Sequence, residues 1–203
     1  ADPKFECETN ATFGSMPNAR KGADLRRDPR FALHSATVDP VDGAEAPLNL
    51  TAANPATDAG PVYSPDGRTL YYRAMKRPGF EADRFQIRAL DLASRNARDI
   101  AADWDRSPEG LVVAPDGRTL YTTVADLGAG SLFAVDVASG KRTRLDNRGT
   151  VAGVTAGRDA IVYGRDDLKS TAQLYRLSPR GGEPVALTRF NAARMAGLAL
   201  GDY

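Results

Sequence analysis

Ser64-Pro65-Asp66-Gly67-Arg68-Thr69-Leu70-Tyr71 returns, with one change, as Ala114-Pro115-Asp116-Gly117-Arg118-Thr119-Leu120-Tyr121, about 50 residues later. Self-similarity at that period marks an array of supersecondary units, and about 50 residues lies in the range of propeller blades. Each copy has a mechanical reading. Proline presets φ at the second turn position, aspartate bonds to nearby backbone, and glycine takes a left-handed conformation at low cost. A tight hairpin turn is the expectation. An apolar segment precedes it, Gly60-Pro61-Val62-Tyr63 or Leu111-Val112-Val113, and an aromatic or β-branched one follows, Leu70-Tyr71-Tyr72 or Leu120-Tyr121-Thr122-Thr123-Val124.

Working outward, Gln86-Ile87-Arg88-Ala89-Leu90-Asp91-Leu92 and Ser131-Leu132-Phe133-Ala134-Val135-Asp136-Val137 read as third strands. Their period-two pattern predicts one buried and one wetter face. Polar turns at Ala93-Ser94-Arg95-Asn96 and Ala138-Ser139-Gly140-Lys141 lead to fourth strands at Ala97-Arg98-Asp99-Ile100 and Arg142-Thr143-Arg144-Leu145. Four antiparallel strands per unit is the blade pattern. A weaker third copy puts Gly157-Arg158-Asp159-Ala160 in place of the proline turn. Its third strand is Ala172-Gln173-Leu174-Tyr175-Arg176-Leu177, and after Arg180-Gly181-Gly182-Glu183 the segment Pro184-Val185-Ala186-Leu187-Thr188 closes it. An earlier half unit runs from Val41-Asp42-Gly43 to Pro47-Leu48-Asn49-Leu50-Thr51. The expected fold is all-β, a propeller with four-stranded antiparallel blades of which about three and a half are present. Residues 1–35 form an atypical N-terminal segment and residues 36–203 the partial propeller.

The first complete blade is long because Met75 to Arg84 intervenes between its second and third strands. This is either a plain surface loop or one that touches a substrate or partner through Lys76, Arg77, Glu81, Asp83 and Arg84. The spacing of these residues does not resemble a metal cage.

Composition narrows the function classes. The 203 residues carry 27 basic and 26 acidic side chains, a formal charge of +1, which gives no strong pull toward nucleic acid or an acidic membrane. Arg20, Lys21, Arg26, Arg27 and Arg30 are the one basic cluster. Cys7 is the only cysteine, so an internal disulfide and a metal site of paired cysteines are both excluded. No apolar run approaches the roughly 20 residues that cross a bilayer. Ser131 in Gly128-Ala129-Gly130-Ser131-Leu132 lacks the second glycine of a nucleophile elbow and reads as the start of a strand. His34, the sole histidine, reads as a surface or structural residue.

At Pro65-Asp66-Gly67-Arg68 and its copies the sequence resembles the TolB-like and peptidase propellers. The likeness is strongest to the N-terminal propeller of prolyl-oligopeptidase-type serine peptidases, especially dipeptidyl- and acylaminoacyl-peptidase relatives. It covers residues from about Thr51 to Tyr203 and includes Trp104-Asp105-Arg106-Ser107-Pro108 between blades. The resemblance implies a noncatalytic propeller portion that gates or positions peptides for a serine, aspartate and histidine triad carried elsewhere. The implied partners are the missing peptidase domain, the remaining blades, and a peptide substrate or protein partner. A periplasmic or secreted location is implied, with the cytoplasm left open. The alternative within the same fold is a TolB-like protein-interaction module. Separately, residues from about Phe13 to Asp39 resemble a segment of the pyridoxamine-phosphate-oxidase-like split-barrel family. That likeness implies a flavin or deazaflavin oxidoreductase, with Arg20 and Lys21 meeting cofactor phosphates. The propeller reading itself requires no cofactor.

Overall fold

The computed structural model describes residues 48–200. They build three four-stranded antiparallel units. Blade 1 comprises β1 (Asp58–Tyr63), β2 (Thr69–Ala74), β3 (Gln86–Asp91) and β4 (Ala97–Ile100), each paired to the next. Blade 2 comprises β5 (Val112–Val113), β6 (Thr119–Asp126), β7 (Ala129–Asp136) and β8 (Arg142–Asp146). Blade 3 comprises β9 (Thr150–Ala156), β10 (Ile161–Asp167), β11 (Ser170–Leu177) and β12 (Val185–Ala186). A single parallel pairing, Gly130 with Thr150, links β7 to β9, and the short helix α1 (Ala192–Met195) follows the last strand.

The repeated octapeptide makes the expected turn twice with one hydrogen-bond pattern. Gly67 donates to the Ser64 carbonyl at 2.9 Å and Gly117 to the Ala114 carbonyl at 2.8 Å, with φ of 70° and 71° at the two glycines. The Asp66 carboxylate accepts the Arg68 N–H at 3.1 Å, as Asp116 accepts that of Arg118 at 2.9 Å. Asp91 and Asp136 organise the next turn alike, accepting both the N–H and the hydroxyl of Ser94 and Ser139.

One expectation about the strands is corrected. A half-wet face was expected on the third strands, yet Ser131, Leu132 and Phe133 of β7 are buried in succession. The reason is that blade 2 packs between blades 1 and 3, so both faces of β7 meet protein, Phe133 and Val135 on the side of blade 1 and Leu132 and Ala134 on the side of blade 3. From β2, Leu70, Tyr72 and Ala74 pack on the outer side of blade 1, while Tyr71 turns to blade 2. From β6, Leu120 and Val124 face blade 1, and Tyr121 joins Ile161, Tyr163 and Leu177 of blade 3. Trp104 in the connection between blades 1 and 2 meets Phe133 at 5.1 Å between ring centroids. Such apolar contacts contribute about 25 cal/mol per Å² removed from water and dominate the cohesion of neighbouring blades.

The half unit before blade 1 falls mostly outside the described residues, as does the boundary expected near residue 36. Its described part, from Leu48 to Thr51, ends in a turn rather than a paired strand. In blade 3 only Val185 and Ala186 of the expected closing strand pair with β11. Beyond them the Thr188 hydroxyl accepts the Leu174 N–H at 2.8 Å, so a side chain continues the edge where the ladder stops.

Candidate functional site

Antiparallel order places the β2–β3 connection and the inter-blade linker at one end of the sheet, and the β1–β2 and β3–β4 turns at the other. The insertion of blade 1 lies at the first end. Asp83 folds it back on itself: the carboxylate accepts the N–H groups of Lys76 and Arg77, both at 2.8 Å, and the Arg77 Nε at 3.1 Å. The backbone bonds from Arg77 and Lys76 hold its pKa down at about 2. Arg77 also covers the Phe80 ring, 4.0 Å from its centroid.

The far end of the insertion is tied to the linker. Arg84 donates to the Trp104 carbonyl, and the Phe85 N–H donates to the Ser107 hydroxyl at 3.1 Å. Arg73 of β2 spans the same junction, donating to the Pro108 carbonyl at 3.2 Å with its guanidinium 4.7 Å from the Phe85 centroid. Burial pushes the Arg73 pKa down, opposed by the Glu109 carboxylate. Of the five residues expected to touch a substrate or partner, Asp83 and Arg84 therefore shape the loop, Arg77 braces it, and Lys76 and Glu81 stand exposed. Arg20 and Lys21, with the whole split-barrel-like segment and His34, lie outside the described residues.

Sequence reasoning missed the rim formed by the first strands. β1 lies beside β5, and β5 beside β9, so these strands converge. Gly60, Gly110 and Gly153 stand at equivalent positions, four residues before Ser64, Ala114 and Gly157. Two have positive φ, 60° at Gly60 and 62° at Gly153, and pairing slips beside both. Glycine bulges of this kind bend a strand and release backbone groups from the ladder. Between β5 and β9 a cleft of about 330 Å³ opens, lined by Glu109, Gly110, Thr123 and Ala152 to Val154. The Thr123 hydroxyl donates to the Glu109 carboxylate at 3.2 Å. The recurring glycine was the available signal, overshadowed by the stronger Pro-Asp-Gly repeat.

Among the described residues no group of three or more His, Cys, Asp or Glu is placed to hold a metal, and no helix is long and apolar enough to cross a membrane. Ser131 lies inside β7, buried in a sheet rather than on a strand-to-helix turn.

No family model matches the chain. In sequence it is 38% identical over 104 residues to a probable dipeptidyl-peptidase 5 of Emericella nidulans, covering 48% of this chain and 14% of that protein. The dipeptidyl-peptidase 5 of Trichophyton equinum is 36% identical over 102 residues, again with 14% of its length covered. The chain thus spans about one seventh of the curated relatives it matches. In structure it is similar to the acylaminoacyl peptidase of Pyrococcus horikoshii, with a TM-score of 0.53 at 20% identity over 66% of this chain and 20% of that one. That likeness bears on the fold alone. The described residues are a segment of β-propeller, and over about half of its length the chain is similar to dipeptidyl-peptidase 5 proteins.

Proposed function

We propose that this segment positions short peptides for a serine peptidase centre contributed by another part of a longer protein. The observation that carries the reading is the braced insertion of blade 1. Asp83 and Arg84 hold it in one shape while leaving the Lys76 and Glu81 charges exposed at the end of the blade. A preorganised rim that offers both signs of charge suits the two charged ends of a short peptide. Positioning is itself a large part of catalysis, because fixing a substrate in a reactive pose removes entropy otherwise lost in the transition state. The sequence match to dipeptidyl-peptidase 5 supports peptides as the substrate class.

The test is made in the longer protein with the double substitution Lys76→Ala and Glu81→Ala. A positioning loop predicts that kcat on a small chromogenic dipeptide stays unchanged, while KM for tetra- and hexapeptides rises several-fold. An unchanged ratio of kcat/KM between short and long peptides removes the loop from the function. A reading frame that ends without a Gly-x-Ser-x-Gly elbow removes the peptidase reading altogether.

A further inference from the structure

The opposite end of the blades, where the β1–β2 and β3–β4 turns lie, carries a second cleft. Between blades 1 and 2 the two Pro-Asp-Gly turns close on each other: a Cβ on Gly117 would stand 3.3 Å from Cδ of Pro65. Blade 3 breaks the repeat. Its turn is the short Gly157-Arg158-Asp159-Ala160, closed by the Gly157 N–H donating to the Ala160 carbonyl at 2.8 Å. The proline of the preceding blade, Pro115, consequently has no matching turn to pack on. A cleft of about 600 Å³ remains, walled by Pro115, Tyr121 and Pro179, with Asp116, Arg158 and Arg180 as its charged groups.

The two arginines set its chemistry. Arg106, Arg142, Arg144, Arg148 and Arg165 are each paired with a carboxylate. The side chains of Arg158 and Arg180 make no hydrogen bond or ion pair among the described residues, and both are exposed. Asp116 spends part of its acceptor capacity on the Arg118 N–H. Two unspent guanidinium groups against one such carboxylate leave the cleft cationic. Guanidinium recognises carboxylate through paired N–H donors, and a pocket of this size with apolar walls takes an organic ligand rather than a lone ion.

We propose that this cleft between the turns of blades 2 and 3 binds an acidic peptide segment, its carboxylates on Arg158 and Arg180 and its body along Pro115, Tyr121 and Pro179. The site lies at the end of the blades opposite Lys76 and Glu81 and does not depend on the positioning role of that loop. Its occupant is held by charge and proline-aromatic contact, so binding weakens as salt rises.

The test is fluorescence anisotropy of the whole chain with fluorescein-labelled hexaglutamate, and with hexaglutamine as the uncharged counterpart. Hexaglutamate is expected to bind and hexaglutamine not. Arg158→Ala and Arg180→Ala each weaken binding about tenfold, in line with loss of one charge-assisted contact. Arg158→Lys, which keeps the charge without the planar fork, recovers part of the loss. Arg176→Ala, on the exposed side of β11, binds as the unaltered chain does. Because Arg158 and Arg180 stand exposed, thermal melts of the variants should coincide with that of the unaltered chain. The proposal is overturned if the two peptides bind equally or not at all, or if the double arginine variant keeps full affinity. Displacement by inorganic phosphate at the same concentration as by unlabelled hexaglutamate also overturns it, since that marks a simple anion site.

Discussion

Glycine at position 149 is required by geometry rather than by preference. Its φ is 143°, and a Cβ there would stand 1.9 Å from the Asp166 carbonyl oxygen, where backbone meets backbone and no side chain can swing away. Gly149→Ala is expected to cost on the order of 3 kcal/mol or more in urea unfolding. Gly153→Ala is the control: its φ of 62° carries the left-handed penalty, but nothing lies within 4 Å, so the loss should be about 1 kcal/mol. Equal losses at the two sites would mean that the close approach at Gly149 relaxes. Leu127 shows the reverse economy. It occupies φ 51° in the two-residue turn with Gly128 while 89% exposed, a conformation and an environment that both disfavour leucine. Leu127→Asn supplies the Asn-Gly pair this turn favours and should raise stability by about 0.5–1 kcal/mol in the same assay. Neither residue stood out in the sequence, because φ and the approach of a distant carbonyl are set by pairing across strands.

Blades 2 and 3 are joined by a buried charge as well as by apolar packing. Asp146, the last residue of β8, accepts from the Tyr163 hydroxyl at 2.6 Å, from Arg165 at 2.7 Å and from the Arg148 Nε at 3.1 Å. Arg165 lies 3.9 Å above the Tyr175 centroid, and Arg148 reaches on to Glu183 at 2.7 Å. Burial pushes the Asp146 pKa up, but the bonds from Tyr163, Arg165 and Arg148 outweigh it and leave the carboxyl below its ordinary value. Removing the carboxylate strands the Arg165 charge in the interface. Asp146→Ala should therefore cost about 3–5 kcal/mol, with increased amide exchange in β10 rather than in blade 1. The sign with pH follows from the depressed pKa. The contribution is complete above the unfolded value, about 3.9, and is lost as pH falls through the lower folded value, so stability at pH 7 and pH 5 should be alike in this respect. Acid unfolding below about pH 4 should be less steep in Asp146→Ala than in the unaltered chain; the same slope in both would show that Asp146 does not titrate with folding. The strands at either side of this joint were legible from turn chemistry and apolar runs. The clamp was not, since its members sit 17 and 19 residues apart on different blades, a spacing that no local period marks.

At the scale of the molecule, the repeat made the architecture legible because each turn is a local event, written within eight residues such as Ser64 to Tyr71. The binding surfaces were less so. Loop length flagged the insertion, but which of Lys76, Arg77, Glu81, Asp83 and Arg84 point outward depends on bonds to the linker that the sequence does not announce. The division of labour proposed for the longer protein has a direct consequence for this chain. Expressed alone, it should hydrolyse a chromogenic dipeptide no faster than buffer does. The serines in the described blades are committed to turns and strands: Ser64 donates to Asp66, Ser94 to Asp91 and Ser139 to Asp136, while Ser131 is buried within β7. The Ser64–Asp66 contact, at 2.6 Å, puts a hydroxyl on a carboxylate, but that bond, with the Arg68 N–H, holds the Asp66 pKa down. A carboxylate so stabilised is a poor base, and general-base catalysis works best with a pKa near the working pH. His34 is the only histidine in the chain, so one substitution tests every mechanism in which histidine takes the serine proton. The unaltered chain and His34→Ala should show the same background rate in a sensitive release assay. Reproducible turnover that vanishes in His34→Ala would make His34 a base and return the active site to this chain.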